Sequence, residues 1–429
     1  MSRQERNILT IEGNFVNYGD LIRHGCIHID KRSGLIEKID NSAGGIVTDG
    51  LIFPGFIDIH VHAREDTTRK NNYKEDFDSA AKAAIHGGVV CIVDMPNNPE
   101  PPVDRVGYLS KASLACRSLV DIVLYAGVGK GTLPLGEHVP YKVFMGAVSS
   151  KSPSPYVSLL DFHNFSEIRA ALSHYEHAYV SFHCEDSKVL AASACAATHE
   201  ERRPPEAEVK AIAAALGLIK KFSLQGNICH VSTKKGLDKI VAAKKKGLPV
   251  TCEVTPHHLF FDTDVLDYDN RNFLAMNPPL RSSDDSLALI EGLRRGDIDY
   301  LASDHAPHTL EEKARGISGV PNLDTYGPFT TWLMSEHGFT AQDIARVCAY
   351  NPARFVNRFL TGKYGFGLGR IEEGYLGSLT VLAPESPVMI EQKDLITKCG
   401  WSPFSGVLFP GSVLFTVVRG EFYPNWLKL

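Results

Sequence analysis

Long apolar runs are missing from this chain. No stretch approaches the ~18 consecutive apolar residues of a membrane helix, and the opening MSRQERNILTIEGNFVNYG has no apolar core of about 7 to 15 residues behind its charges. These absences predict neither a membrane partner nor a secretory leader, and so a cytoplasmic protein. Paired cysteines are missing too. The nine cysteines lie scattered between Cys26 and Cys399 without any CxxC, which excludes a disulfide framework or zinc ribbon and leaves most of them as small buried hydrophobes. Nor is there an excess of one charge: 45 Lys+Arg against 50 Asp+Glu give a formal charge of −5, which offers nothing to nucleic acid. No low-complexity stretch and no repeat of about 20 to 50 residues is visible. What remains is ordinary globular material. With 429 residues, 44% apolar and 22% charged, the chain can build two or three domains, or one large barrel with a satellite.

From Phe53 to Leu360 one alternation repeats: a short β-branched apolar run, a loop rich in Gly, Pro, Asn or His, then helical periodicity. Eight strand-like runs follow in order: FIDIHVH (56–62), VVCIVDM (89–95), DIVLYAGV (121–128), YKVFM (141–145), AYVSFHC (178–184), NICHVS (227–232), PVTCEVT (249–255) and YLASDH (300–305). Most are continuously apolar, as strands covered on both faces are, and eight parallel strands close a barrel. Helices are predicted over 75–88, 206–222 and 234–247, acidic where they start or basic where they stop. The first 50 residues and the tail from Phe366 instead read as short paired strands with Gly-bearing turns. The expected fold is α/β: a TIM-like (β/α)8 barrel over 53–365, with a small β-sandwich-like domain formed by both termini, 1–52 and 366–429.

Six candidate metal ligands fall near the carboxyl ends of these runs: His60 and His62 on the first, Lys142 on the fourth, His183 on the fifth, His230 on the sixth and Asp304 on the eighth. In such a barrel the carboxyl ends line one mouth, so residues up to 244 positions apart converge there. The period-two spacing of His60 and His62 turns both imidazoles inward. A lone strand histidine is more often a satisfied core residue than a ligand. The same placement on five strands argues for a site. Neutral imidazoles and carboxylates suit Zn²⁺, and a hydrolytic two-metal site needs open positions for water and substrate.

The chain resembles the cyclic amidohydrolases, and within them the dihydroorotases. The matching pieces are DIHVHAR (58–64), NYKEDFDSAAKAAIHGG (72–88), VDMPNNPEPP (93–102), TCEVTPHHLFF (251–261), MNPPLR (276–281), SDHAPHT (303–309), NPARF (351–355) and the SPFSG to VVRG pattern (402–420). HVHxR is shared with hydantoinases and allantoinases, whereas TPHHL, NPPLR and SDHAPH together are specific to dihydroorotases. The resemblance implies two zinc ions: His60, His62 and Asp304 hold one, His183 and His230 the other, and Lys142, as a carbamate formed with CO2, bridges both. The plain alternative for Lys142 is a structural ion pair with a carboxylate. A bridging hydroxide is the implied nucleophile and Asp304 the general base, then general acid. Arg64, Asn97 and His308 would hold a substrate carboxylate, Arg64 through its planar fork, while Asn277 faces the pyrimidine ring.

The implied reaction is the reversible interconversion of N-carbamoyl-L-aspartate and L-dihydroorotate. The resemblance also implies a small-molecule substrate and a homo-oligomer, and raises aspartate transcarbamoylase as a partner. Two rivals stand beside it: a hydantoinase, dihydropyrimidinase or allantoinase with the same metals, and a non-catalytic scaffold. Neutral rings need no carboxylate clamp, and a scaffold would have lost ligands. The chain departs from the family at Glu65-Asp66-Thr67, where a Glu-Pro-Gly turn is usual and an extra carboxylate now lies near an anion site, and at Leu376-Gly377-Ser378-Leu379 in the tail. Cys229 and Glu253 match residues of an additional zinc site in the multifunctional animal dihydroorotases. Strand alternation puts Cys229 and His230 on opposite faces, which favours Cys229 as a buried hydrophobe. His257 and His258 are expected to support the site or pack rather than to ligate.

Overall fold

The computed structural model describes residues 7–146, 160, 162, 164–360, 362 and 364–425; the first six residues of the opening segment lie outside it. The amino-terminal strands are β1 (Ile8–Phe15), β2 (Arg23–Asp30), β3 (Leu35–Asp40) and β4 (Ile46–Pro54). Nine short strands follow: β5 (Phe56–Val61), β6 (Val89–Asp94), β7 (Asp121–Leu124), β8 (Ala126–Gly127), β9 (Tyr141–Met145), β10 (Tyr179–Cys184), β11 (Gln225–Ile228), β12 (Val250–Val254) and β13 (Tyr300–Leu301). The tail adds β14 (Leu379–Ala383), the small hairpin β15 (Val388–Met389) and β16 (Leu408–Phe409), then β17 (Ser412–Val418) and β18 (Glu421–Pro424).

The nine central strands make eight staves, because β7 and β8 are one run interrupted at Tyr125, whose N–H crosses to Asp94 O at 3.0 Å. β5, β6 and β7 pair in parallel, as do β8 through β13, and a parallel bridge between Val61 and His305 closes the ring. Every residue of β5, β6 and β9 is buried, as expected of strands with helices outside and packed side chains inside. The three predicted helices form over Phe77–His86, Pro205–Lys221 and Lys234–Lys245. The first starts where Asp76 and Ser79 cap each other's backbone N–H groups. The third ends in Lys244 and Lys245 against the helix dipole.

Both termini contribute to one seven-stranded mixed sheet, in the order β18-β17-β14-β4-β1-β2-β3, around a separate apolar core that includes Ile11, Ile27, Ile52, Val381 and Phe415. β4 passes through Gly55 directly into β5. A side chain at Gly55 would collide with Val90, so this join needs glycine. Among the described residues no helix is long and apolar enough to cross a membrane.

Candidate active site

The strands stop earlier than the sequence pattern predicts, and the site is built from residues that lie at their ends or just beyond. β11 ends at Ile228 and β13 at Leu301, so His230 and Asp304 sit on the loops that follow. His60 remains within β5 and His62 follows its last residue. Their rings lie 5.4 Å apart, with His60 Nε2 at 3.2 Å and His62 Nε2 at 3.1 Å from the same Asp304 Oδ1. Across the mouth, His183 Nδ1 lies 3.0 Å from His230 Nε2, and the His230 ring centroid lies 5.1 Å from that of His60.

The partners behind these rings fix which nitrogen carries the proton. His60 Nδ1 donates to Glu253, itself held by Asn227 at 2.8 Å. His62 Nδ1 donates to Asn97 Oδ1 at 2.7 Å, and His183 Nε2 donates to Glu185 at 2.8 Å. Burial pushes the Glu185 carboxyl up, but Arg203 and His183 hold it well below the usual carboxylate range. Burial also drives His60, His62 and His230 below the ordinary imidazole pKa, so the rings are neutral. Their remaining lone pairs then converge: His60 Nε2 and His62 Nε2 both face an acceptor oxygen. Such contacts repel unless a cation lies between the atoms, and one proton on Asp304 answers only one of the two. The donor set therefore fits divalent metal. His60, His230 and Asp304 bring three donor atoms within 4.8 Å of one another, as do His60, Cys229 and Glu253.

Lys142 is fully buried, and its hydrogen bond goes to Cys229 Sγ at 2.8 Å. Among the described residues no carboxylate comes within ion-pair distance of its Nζ. The strand ends at Ile228, before Cys229, and His230 adopts φ 34°, yet the two side chains part as expected. Cys229 then borders Lys142 and Glu253 while His230 faces His183 and His60. His257 and His258 support loops: His257 bonds Asn322 at 2.9 Å, and His258 bonds Thr255 at 2.7 Å and Pro278 O at 3.0 Å.

The predicted anion-binding residues meet in part. Arg64, in the left-handed region at φ 64°, reaches His308 Nε2 at 3.3 Å, and its buried Nε has no partner. Asn97 gives its oxygen to His62, which leaves its amide N–H groups to donate. Asn277 bonds to none of these side chains, but its Oδ1 is a buried acceptor without a partner. Orphaned polar atoms of this kind call for a ligand with a complementary pattern. The extra carboxylate of Asp66 is consumed locally, accepting from Thr68 N at 2.9 Å, Arg69 N at 3.1 Å and Glu100 N at 2.8 Å. Glu65 likewise accepts from Phe77 N at 2.9 Å.

Sequence reasoning missed the groups that hold the site in place. Glu185 follows His183 by two positions, a signal available in FHCED. Lys74 stands in the quoted NYKED motif, yet only the structure shows it against His308. Lys111, on the helix Arg105–Ala115, pairs with Asp94 at 2.5 Å and binds Asn98 Oδ1 and Met95 O behind the Asn97 loop. Asp94 in turn accepts from Ala63 N at 2.8 Å, next to Arg64.

Residues 51–422 match the Amidohydrolase family, and the chain belongs to it. Within that class it is 34% identical over 424 residues to the dihydroorotase of Thermococcus kodakarensis, covering 96% of this chain and 93% of that protein. It is 36% identical over 379 residues to the dihydroorotase of Pyrococcus horikoshii, covering 86% and 80%. Among solved structures, the L-hydantoinase (dihydropyrimidinase) of Arthrobacter aurescens has the same fold, with a TM-score of 0.82 at 23% identity over 96% of this chain and 95% of that one.

Proposed function

We propose that this chain catalyses the reversible cyclisation of N-carbamoyl-L-aspartate to L-dihydroorotate plus water, as a cytoplasmic enzyme of pyrimidine synthesis. The observation that carries the reading is the buried pair of Arg64 and His308 beside the imidazole and carboxylate cluster. A cationic fork in a dry cleft favours an anionic ring substrate, and full-length similarity to dihydroorotases supports the same choice.

His60, His62 and Asp304 would hold one divalent ion and His183 and His230 a second, with Lys142, carboxylated by CO2, joining them; zinc suits these donors. Bound there, the ions would supply Lewis acidity and would lower the pKa of water to about 7. Arg64, His308 and the Asn97 amide bind the substrate carboxylate and set the ring in register. Asn277 Oδ1 accepts a ring N–H. In ring opening, the Asp304 oxygen that does not face the two imidazoles takes a proton from the attacking water and passes it to the departing nitrogen. Cyclisation runs the same transfers in reverse.

The fold likeness to hydantoinases favours one second reading, a neutral cyclic amide as substrate. Metal-replete protein assayed in parallel with dihydroorotate, dihydrouracil, hydantoin and allantoin separates the two. Dihydroorotate should be the preferred substrate. Turnover of the neutral rings alone would overturn the proposal, and turnover of none would favour a scaffold. Light scattering with and without aspartate transcarbamoylase tests the further expectations of a homo-oligomer and of that partner.

A further inference from the structure

His308 is read from two sides. Its Nε2 faces Arg64 at 3.3 Å, and a guanidinium only donates, so Nε2 accepts and the proton lies on Nδ1. At that Nδ1 edge stand one acceptor and one donor at equal range: Glu312 Oε2 at 3.2 Å and Lys74 Nζ at 3.2 Å. Lys74 and Glu312 also bind each other at 2.8 Å, and Glu312 is anchored by Tyr73 Oη at 2.6 Å and Thr309 N at 3.1 Å. Burial pushes Glu312 up, yet the bonds from His308, Lys74 and Tyr73 hold it low, so it stays an acceptor. Lys74 and His308 are each 8% exposed.

We propose that Lys74 and Glu312 let His308 exchange tautomers when an anion enters, making Lys74 a positioning residue for substrate specificity. This inference rests on the carboxylate-binding reading above. Without an anion, Nδ1–H donates to Glu312 and Nε2 accepts from Arg64. A carboxylate between Arg64 and His308 needs a donor at Nε2. The proton leaves Nδ1 to water and another reaches Nε2 from water, with no net change in charge, and Nδ1 now accepts from Lys74. Protonating the ring instead would bury a third cation beside Arg64 and Lys74. Burial already holds His308 down at about 3, with Arg64 and Lys74 adding to the penalty and Glu312 opposing it. Exchange keeps the ring neutral and avoids that burial.

The test uses metal-loaded full-length protein and the variants Lys74→Met and Lys74→Arg. Loss of one hydrogen bond made only in the loaded site should raise KM for dihydroorotate about ten-fold in Lys74→Met, with kcat changed less than about two-fold. KM for hydantoin should move less than about two-fold, and Lys74→Arg should recover most of the dihydroorotate loss. Equal losses on both rings, or a loss confined to kcat, would make Lys74 a structural strut and overturn the proposal. Nitrogen-15 spectra of histidine-labelled protein, with His308 assigned by its loss in His308→Ala, read the tautomer directly. The proton should sit on Nδ1 without ligand and on Nε2 with the probe orotate, and the change should need about ten-fold more orotate in Lys74→Met. A proton already on Nε2 in the ligand-free protein refutes the exchange. If the wild type converts only neutral rings, the assigned reaction fails, while the spectra without and with orotate still decide this inference.

Discussion

Replacing Lys111 by methionine keeps most of the length of the side chain, one atom short, and removes its charge, and the consequence follows from what surrounds it. Lys111 is 2% exposed and Asp94 is fully buried, with 2.5 Å between Nζ and Oδ2. Without its partner, a charged Asp94 in the barrel wall keeps, among the described residues, one hydrogen bond, from Ala63 N at 2.8 Å, and the more distant charge of Arg64. Breaking a buried pair in this way costs about 3 to 5 kcal/mol. For 429 residues the unfolding entropy is about 0.9 kcal/mol per kelvin, so Tm should fall by about 3 to 6 °C in scanning calorimetry of the metal-loaded protein. The pH dependence has a definite sign. Burial pushes the Asp94 carboxyl up while Lys111 pulls it down, and removing Lys111 raises it further. A carboxyl whose folded pKa exceeds its unfolded value of ~3.9 loses stability as pH rises through the folded pKa. The deficit of Lys111→Met should therefore be full at alkaline pH and shrink as the medium is acidified towards the unfolded value. Adding Asp94→Asn, which keeps an oxygen for Ala63 N, should return much of the loss. A single variant that loses less than about 1 kcal/mol, or a double variant no better than the single, refutes the reasoning.

The purified protein should carry close to two zinc ions per chain by elemental analysis, and His60→Ala or His183→Ala should lower both metal content and turnover. Full activity with metal excluded would end the binuclear reading. Lys142→Ala should be nearly inactive and partly restored by short carboxylic acids with added zinc; a crystal of metal-loaded protein with an unmodified amine at Lys142 would contradict the carbamate. Arg64→Ala should lose about 2 to 5 kcal/mol in kcat/KM for dihydroorotate and much less for hydantoin. Asp304→Asn should depress both alike, and equal losses in Arg64→Ala would make Arg64 structural.

The barrel was legible because its strands are buried on both sides. Continuous runs such as VVCIVD and YKVFM admit no face for water, and helices with acidic starts or basic stops fill the gaps between them. The terminal sheet was legible from alternation, as in β1, whose last residues read intermediate, buried, exposed, buried. The strand ends were not legible. Burial continues through NICHVS and YLASDH after the regular strands end at Ile228 and Leu301, with only isolated backbone bonds such as the Val61–His305 bridge beyond them, since a loop under a closed barrel mouth is as dry as the strand before it. That His60, His62, His183, His230 and Asp304 come together was legible from their position on the runs. Their supports were less so: Glu185 had a local signal in its spacing from His183, but Lys74 and Lys111 are charged residues on loop and helical segments, and nothing local says that they are buried. Charge in a sequence reads as surface until the fold shows what it is paired with.

Where the strands end early, the backbone does the aiming. Arg64, His230 and Asp304 adopt φ values of 64°, 34° and 46°, a left-handed region that L-residues with long side chains rarely enter. Each sits just past a strand whose continuation would turn alternate side chains away from the mouth. Entering that region costs about 1 to 3 kcal/mol per residue, and such a geometry persists only where neighbours over-determine it. The neighbours are visible: His62 N bonds His305 O at 2.8 Å beside Asp304, Val231 N bonds Glu253 O at 2.9 Å beside His230, and Ala63 N bonds Asp94 beside Arg64. In each case a hydrogen bond one residue away pins the turn to the adjoining stave. The candidate ligands, Asp304 and the Arg64–His308 pair are thus held at one mouth by barrel closure itself. Substitutions that loosen the staves, such as Lys111→Met, should then reach the chemistry without touching a ligand.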